Sequence, residues 1–343
     1  MALLEVEDLD VRFYTEGGVV QAVDGLSYTL DRGERLGVVG ESGAGKTVAA
    51  LALLDLLDAP GRVEGGSIRF DGEEVLGASP DRLRRLRGGE IGLVFQDPET
   101  ALDPVYTVGE QVAEAVRVHT DRDGDAAHDR AVSLLDRVGI PDPATRATQY
   151  PHEFSGGMAQ RAVVAIALAG EPDLLVADEP TTALDVTIQA QLLDLFDDLA
   201  ADDLAVQFIS HDLGVVAEFC DRVLVMYAGQ AVERAPVDEL FYDPKHPYTA
   251  GLLSAVPRIG DDRDRLQTIP GATPDLASPP PGCRFHPRCP YAEDACTKRD
   301  PPLAAVDSEG DAHHAACLAY VDDADFDGDL DFYVEVGEEV GDP

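Results

Sequence analysis

Short apolar segments with alternating polar residues open the chain. Leu3–Phe13 and Leu26–Leu30 both show this alternation, and Glu16 with the two glycines after it is suited to a turn between them. We therefore expect antiparallel strands at the start of the chain. A continuous apolar run at Arg35–Gly40 then predicts a buried strand, which leads through a glycine-rich loop into an apolar helix at Val48–Leu57.

The middle of the chain alternates between helical and strand patterns. From about residue 81 to residue 139 the pattern is helical and charged, with amphipathic stretches at Gly109–Val118 and Ala126–Val138. Strand patterns return at Leu174–Ala177 and Ala205–Ser210, each after a helical segment. Strands that alternate with helices predict an α/β fold, in which a largely parallel sheet has helices on both faces.

The last third of the chain has a different composition. Beyond Val232 it becomes rich in proline, and Pro279–Pro281 is the clearest break. The final stretch, residues 322–343, carries ten acids and no base, and we interpret it as a solvated acidic tail. The sequence has neither a basic region followed by an apolar stretch at its start nor eighteen uncharged apolar residues in a row, so we expect no signal peptide and no membrane span.

The charge of the chain restricts its partners. Its 343 residues include 66 acidic and 26 basic ones, which gives a formal charge of −40. A broad basic surface for nucleic acid or for anionic lipid is therefore not expected. Hydrophobic residues still make up 45% of the chain, enough to build a core.

A phosphate-binding pattern lies between the predicted strand at Arg35–Gly40 and the predicted helix that follows. It fits G-x-x-x-x-G-K-[ST], and its positions are Gly40, Glu41, Ser42, Gly43, Ala44, Gly45, Lys46 and Thr47. In such a loop backbone amides wrap a polyphosphate at the positive end of a helix. Lys46 is expected to neutralise the β- and γ-phosphates, and Thr47 to offer its hydroxyl to Mg²⁺. Lys46 is also the only lysine before residue 245, although arginine is used almost everywhere else.

A second acidic element ends the predicted strand at Leu174–Ala177. Asp178 and Glu179 follow this strand directly. We expect Asp178 to hold the Mg²⁺ shell and Glu179 to polarise an attacking water.

Further motifs occur in a fixed order around these two elements. They are Phe95–Pro98, Phe154–Arg161, Ala183–Asp185 and Ile209–Asp212. In this order the chain resembles the nucleotide-binding subunit of an ATP-binding-cassette transporter. The resemblance implies a P-loop NTPase fold over residues 1–235: a RecA-like core, an antiparallel β subdomain and a helical subdomain at about 97–165. It also implies a head-to-tail dimer that holds ATP between the phosphate loop of one subunit and the signature motif of the other.

The resemblance assigns roles to individual residues. It implies that Gln96 contacts Mg²⁺ and the attacking water, and that His211 contacts the γ-phosphate and holds the catalytic geometry together with Glu179. Asp185 would link the two ATP sites of the dimer, and Phe13 would stack on adenine, with Tyr14 as the second choice. The signature residues that would bind the γ-phosphate across the interface are Ser155, Gly156 and Gly157.

Two C-terminal motifs resemble the extension found in importers of oligopeptides, dipeptides and nickel. They are Lys245–Thr249 and Pro281–Pro290, and the dipeptide branch is the most similar. The resemblance implies an extension at 236–320 followed by the tail at 321–343. It further implies a second ATPase subunit, either a related chain or a second copy, together with two membrane permeases and an extracytoplasmic solute-binding protein. The chain would then work at the cytoplasmic face of the cell membrane.

Four cysteines of the extension form a separate candidate site. Cys283, Cys289, Cys296 and Cys317 are separated by 5, 6 and 20 residues, so the tight knuckles of structural zinc sites are missing. Four thiolates without knuckles suit a [4Fe–4S] cluster better, and the resemblance to importers that carry one points the same way. Zinc is the alternative, and four reduced thiols are the third reading. The substitute zinc ligands would be His286, His313 or His314.

Two other functions have to be compared with transport. One is a soluble cassette ATPase that acts on DNA or on the ribosome. Such proteins usually carry a long coiled-coil insertion or two cassettes in tandem, whereas here 108 residues separate Lys46 from Ser155 and one cassette is present. The acidic charge also disfavours nucleic acid. The other is a redox sensor that works through the cysteines, with ATP hydrolysis secondary.

The acidic surface also generates a prediction about salt. With 66 acids and only three lysines among 26 basic residues, the surface suits concentrated salt, such as that inside salt-accumulating archaea, because hydrated carboxylates keep a protein soluble there. We hypothesise such a source. Unfolding midpoints and activity measured with and without molar salt should both fall when salt is removed, since self-repulsion is then unscreened. Equal values would contradict the hypothesis.

Overall fold

The structure is a computed structural model that describes residues 2–182, 184–256, 268–306 and 312–322, and residues 324, 326, 328 and 330. Most of the predicted acidic tail, and Ala183 of one predicted motif, lie outside the described residues.

Strands and helices alternate along the described chain. The twelve strands are β1 (Leu4–Thr15), β2 (Gly18–Leu30), β3 (Arg35–Val39), β4 (Gly61–Phe70), β5 (Glu73–Glu74), β6 (Ile91–Val94), β7 (Leu174–Asp178), β8 (Ala205–Ser210), β9 (Arg222–Tyr227), β10 (Gln230–Pro236), β11 (Ala304–Ala305) and β12 (His314–Ala315). The eleven α-helices are α1 (Lys46–Leu53), α2 (Pro80–Arg85), α3 (Pro98–Ala101), α4 (Val108–His119), α5 (Gly124–Arg137), α6 (Pro143–Arg146), α7 (Gly156–Ala167), α8 (Val186–Ala200), α9 (Leu213–Phe219), α10 (Val237–Tyr242) and α11 (Pro247–Ser254).

The strands form two sheets. Four strands make an antiparallel sheet in the order β2-β1-β4-β5, and eight make a mixed sheet in the order β11-β12-β10-β9-β3-β8-β7-β6. The expected opening strands are confirmed, since β1 pairs antiparallel with β2 from Leu4 opposite Leu30 to Thr15 opposite Gly18. In the mixed sheet the five strands β9, β3, β8, β7 and β6 run parallel.

The parallel strands are apolar because helices cover them. Every residue of β7 and β8 is buried, as expected of strands that are packed on both faces. Because parallel strands end at the same edge, the loops after β3, β6, β7 and β8 meet there. This edge carries the candidate site.

One expectation about the middle of the chain is incomplete. The stretch from residue 81 to 139 is not helical throughout, because β6 (Ile91–Val94) forms the edge of the parallel sheet. The two amphipathic helices predicted within it are found as α4 and α5. Their apolar faces pack together in the larger core cluster through Val112, Val116, Ala131 and Leu135, all fully buried.

The C-terminal extension is joined to the mixed sheet through a buried carboxylate. The side chain of Glu233 on β10 is fully buried and accepts hydrogen bonds from the backbone N–H of Lys245 (2.6 Å) and of His246 (2.9 Å). It also lies 2.7 Å from Nε2 of His313, next to β12. Burial lowers the pKa of His246 to about 3, so this ring stays neutral and its Nδ1 accepts from the N–H of Tyr248. These bonds attach the extension to the mixed sheet.

In the described part of the chain, no helix is both long and apolar enough to cross a membrane.

Candidate functional site

The predicted phosphate loop connects β3 to α1 at the carboxyl edge of the parallel sheet. Two of its glycines are required by close backbone contacts. A Cβ at Gly40 would lie 2.2 Å from the carbonyl oxygen of Met226, and one at Gly45 would lie 2.4 Å from that of Ala22. Both residues also have positive φ, 153° and 100°. The neighbouring strands therefore fix the path of the loop, and its amides begin α1.

Lys46 is buried inside this loop, with 6% of its surface exposed. Its Nζ donates to the carbonyl oxygens of Gly40 (2.8 Å) and Glu41 (3.3 Å). Burial lowers the pKa of Lys46, while the nearby carboxylates of Glu179 and Asp178 oppose that shift. The loop carbonyls thus hold the ammonium group next to the acidic end of β7.

Asp178 ends β7 and is almost completely buried, with 8% exposure. Among the described residues, its Oδ1 has no hydrogen-bond partner. Burial raises the pKa of this carboxyl, while a hydrogen bond from Thr47 and the charge of Lys46 lower it. A buried carboxylate oxygen without a partner, beside a threonine hydroxyl, is a donor set that suits Mg²⁺. The residues present therefore fit the expected metal ion.

The carboxylate of Glu179 has polar neighbours from three different loops. Its Oε2 accepts from Nε2 of Gln96 (3.1 Å) after β6 and from Oγ1 of Thr182 (3.1 Å), and it lies 3.3 Å from Nδ1 of His211 after β8. The backbone N–H of Glu179 donates to the carbonyl oxygen of Ile209 at the end of β8 (2.9 Å). The three predicted catalytic residues, Gln96, Glu179 and His211, are therefore brought together.

The signature residues and Asp185 lie at the starts of two helices that touch. The Ser155 hydroxyl caps α7 by accepting from the N–H of Met158 (3.4 Å), and Asp185 caps α8 by accepting from the N–H of Ile188 (3.0 Å). A Cβ at Gly157 would lie 2.5 Å from Cγ2 of Ile188, so the two helix starts are in contact. The hydrogen bond that the structure gives the Ser155 side chain runs to α7 and not to the phosphate loop of the same chain.

The two candidate adenine-stacking residues differ in environment. Phe13 is half-buried and lies against β4, where a Cβ at Gly61 would be 2.8 Å from its ring. Tyr14 is exposed, donates from its hydroxyl to Glu64 (2.9 Å) and has the guanidinium group of Arg62 5.7 Å from its ring centre.

Two family models match the chain. The ABC transporter family model matches residues 23–182, and the model of the oligopeptide/dipeptide transporter C-terminal region matches residues 232–296. The dipeptide transport ATP-binding protein DppD of Escherichia coli is 46% identical over 325 residues, covering 94% of this chain and 98% of that protein. The chain belongs to the ABC transporter family.

A further relative and one solved structure are also similar to this ABC protein. The oligopeptide transport ATP-binding protein OppD of Mycobacterium tuberculosis is 54% identical over 321 residues, which cover 92% of this chain and 52% of that protein. The dimeric ATP-binding cassette MJ0796, solved with ADP and Pi, has a TM-score of 0.62 at 24% identity, with 68% of this chain and 98% of that chain covered. The second likeness shows that the fold is that of an ABC ATPase.

The prediction that this ABC protein binds a [4Fe–4S] cluster is wrong. All four cysteines of the extension line one cavity, but among the described residues no group of three or more His, Cys, Asp or Glu side chains could hold a metal ion. The cavity measures only about 20 Å³, which is room for about one water. Burial raises the pKa of Cys283 to about 12 and the pKa values of Cys289 and Cys317 to about 11 each, so these three side chains are protonated thiols at neutral pH.

The zinc alternative has no support either, because the three candidate histidines have other partners. Nδ1 of His286 lies 2.8 Å from the carbonyl oxygen of Cys283, Nε2 of His313 contacts Glu233, and Nδ1 of His314 lies 3.3 Å from Arg234. The four residues are free thiols in a small cavity.

The sequence did not reveal two groups of residues near the site. Thr182 belongs to no metal or phosphate motif, although its position three residues after Glu179 could have suggested a local hydrogen bond. Tyr248 and Arg288 of the extension contact Glu41 of the phosphate loop. No spacing rule connects residues that lie more than 200 positions apart.

The buried carboxylate of Asp178 predicts a conflict between stability and metal binding. Asp178→Asn removes a charge that burial disfavours, so we expect the ligand-free variant to be more stable at neutral pH, by about 1 kcal/mol, while Mg²⁺-dependent ATP binding falls. Urea unfolding measures the first effect and calorimetry the second. The matched control is Asp129→Asn on the exposed side of α5.

The pH dependence of this effect has a definite sign. The pKa of Asp178 is raised above 3.8, so the folded protein binds this proton more tightly than the unfolded chain does. The stabilisation by the protonated carboxyl group is therefore fully present below about pH 3.8 and is lost as the pH rises through the folded-state pKa. The advantage of the variant should therefore be larger at about pH 8 than at about pH 5. A variant that is less stable than the wild type at both pH values would contradict the interpretation.

Proposed function

We propose that this chain is the ATP-hydrolysing subunit of an ABC importer that takes up dipeptides or oligopeptides. One observation carries the proposal: a phosphate loop, a buried aspartate and a glutamate held by Gln96 and His211 meet at one edge of the sheet, in a chain that also has the oligopeptide/dipeptide C-terminal region. A soluble cassette ATPase that acts on nucleic acid is disfavoured by that C-terminal region and by the charge of −40.

ATP is the substrate of the proposed site. The amides of Gly40–Thr47 and the ammonium group of Lys46 would bind the phosphates, with Phe13 against the adenine and Tyr14 as the alternative. Thr47, Gln96 and Asp178 would hold Mg²⁺, which supplies charge neutralisation on the phosphate oxygens when it is bound. The remaining contribution of the protein is to position groups that are already held by neighbouring strands.

Glu179 would orient the attacking water, and His211 would keep Glu179 in place. The geometry supports this division of work, because Oε2 of Glu179 receives three polar neighbours while the His211 side chain is 62% exposed and accessible to a substrate. Fixing Glu179 before ATP arrives lowers the reorganisation that the reaction requires. Hydrolysis then consists of positioning and charge compensation, with no covalent intermediate on the protein.

The proposed site is completed by a second cassette. Ser155, Gly156 and Gly157 would bind the γ-phosphate of the partner's ATP through the exposed start of α7, which is a favourable place for an anion. Asp185, on the adjoining helix α8, would report between the two sites. The second subunit would be a related chain or a second copy of this one.

The remaining partners follow from the relatives, which are named as dipeptide and oligopeptide transport ATP-binding proteins. The importer would contain two membrane permeases that this chain contacts from the cytoplasmic face of the membrane. An extracytoplasmic binding protein would deliver the solute, either a peptide or another small solute such as nickel, so the choice of solute would lie mainly outside this chain.

Replacing the proposed catalytic carboxylate tests the function. In Glu179→Gln the amide can still contact Gln96 and His211 but cannot accept a proton from water. We expect ATP binding to persist, a stable ATP-bound dimer to accumulate, and turnover to fall by about 100-fold or more. Phosphate release and size-exclusion chromatography with ATP measure these effects.

A matched control is Glu218→Gln, on the exposed side of α9, which should keep wild-type turnover. Turnover at the wild-type rate in Glu179→Gln would refute the assignment of the catalytic carboxylate.

A further inference from the structure

An ion pair joins the C-terminal extension to the phosphate loop. Nη1 of Arg288 lies 2.7 Å from Oε2 of Glu41, and Nη2 lies 3.0 Å from Oε1. Arg288 is 6% exposed and Glu41 27%. Two parallel bonds between a guanidinium and a carboxylate form the strongest and most directional type of ion pair in proteins. The contact therefore fixes the orientation of Glu41 as well as its charge.

Arg288 is itself held in place before it meets Glu41. Its Nε donates to the carbonyl oxygen of Pro270 (2.9 Å), and its Nη1 lies 3.3 Å from the hydroxyl of Tyr227. The guanidinium carbon is 5.7 Å from the centre of the Tyr227 ring. Hydrogen bonding to Glu41 raises the pKa of Arg288, so the guanidinium group stays charged. A side chain with this many partners has little freedom left to lose when the loop binds a ligand.

A second contact from the extension fixes the backbone of the same loop residue. The N–H of Glu41 donates to the hydroxyl of Tyr248 on α11 (2.8 Å), and Tyr248 is fully buried. Its ring packs against Tyr227 and Phe285, with ring centres 4.6 and 5.4 Å away. Residues of the extension thus bind both the backbone and the side chain of Glu41.

The charge of Glu41 gives this arrangement a consequence for ATP. Glu41 follows Gly40 directly in the loop, and its carbonyl oxygen contacts Nζ of Lys46 (3.3 Å). An unpaired carboxylate at this position would repel a polyphosphate and would be free to turn the loop backbone toward its own solvation. Arg288 compensates that charge by direct contact, and Arg288 and Tyr248 together hold the carbonyl that orients Lys46.

We propose that Arg288 of the C-terminal extension is a positioning residue for ATP, which compensates Glu41 and holds the phosphate loop in its binding conformation. The inference rests on the proposed ATPase function and goes beyond it, because it makes the extension part of the nucleotide site. Arg288 touches no substrate in this account and acts through Glu41.

The test is a double-mutant cycle on the full chain, with Mg-ATP binding measured by calorimetry and hydrolysis by phosphate release. Arg288→Gln leaves the Glu41 carboxylate unpaired, so we expect the Kd and KM for ATP to rise about tenfold, with a much smaller change in kcat. Glu41→Gln in the Arg288→Gln background removes the unpaired charge and should restore most of the affinity. Arg288→Lys should give an intermediate value, because it keeps the charge but loses the two-pronged bond.

Arg284→Gln is the matched control for damage to the extension. Arg284 is equally buried and comes from the same segment, but it pairs with Asp24 and Gln21 of the antiparallel sheet. It should leave the KM for ATP unchanged even if it lowers the urea midpoint. If Arg288→Gln fails to fold, Arg288→Lys carries the test, with an expected rise in KM that is smaller than tenfold and that Glu41→Gln in the same background does not increase.

Two results would overturn the inference: ATP affinity unchanged in the folded variant, or equally reduced by Arg288→Gln whether residue 41 is Glu or Gln. The wild-type titration separates this failure from failure of the proposed function. If the wild type does not bind Mg-ATP, the proposed function is wrong, whereas wild-type binding with no effect of Arg288→Gln refutes the positioning role alone.

Discussion

A chain with a formal charge of −40 has to bind a substrate that is itself a polyanion. Only local compensation of charge can make that possible, since the field of the whole protein opposes the approach of ATP. The compensation is concentrated in one loop: backbone amides at the start of α1, a buried lysine, and a glutamate whose charge is cancelled by an arginine. Concentrated salt would weaken the long-range repulsion and leave these short contacts almost unaffected.

The same edge of the sheet supplies the chemistry. Strands β3, β6, β7 and β8 are parallel and adjacent in the sheet, so their carboxyl ends bring residues from distant parts of the sequence within hydrogen-bond distance. Glu179 is the meeting point of these loops, and Asp178 beside it retains a buried oxygen without a partner among the described residues. A bound Mg²⁺ ion, as proposed, would give this oxygen a partner.

Local patterns allowed most of the candidate site to be predicted, because the phosphate loop and the strand-end acids each depend on a few consecutive residues. The alternating pattern of the first thirty residues likewise predicted β1 and β2. The short strand β6 was missed, since four residues within a charged, helical-looking stretch give no periodicity of their own. The roles of the predicted site residues stay predictions, although the structure does bring Gln96, Glu179 and His211 together.

What could not be predicted depends on distance in three dimensions. Cysteine spacing contains no information about side-chain geometry, and among the described residues no group of three or more His, Cys, Asp or Glu side chains could hold a metal ion. The contact between Arg288 and Glu41 joins residues that lie 247 positions apart in the sequence. It forms because Glu233 and the pairing of β10 with β12 attach the extension to the core.

If the buried ammonium group of Lys46 allows this acidic chain to bind ATP, a wider cation at the same position should bind it less well. Calorimetric titration of Mg-ATP into the wild type and into Lys46→Arg, which keeps the charge, measures this difference. Nζ of Lys46 is enclosed by loop carbonyls with 6% exposure, so the wider planar guanidinium should not fit. We predict saturable binding by the wild type and a loss of affinity of about tenfold or more in the variant. Equal affinity in the two proteins would contradict the account.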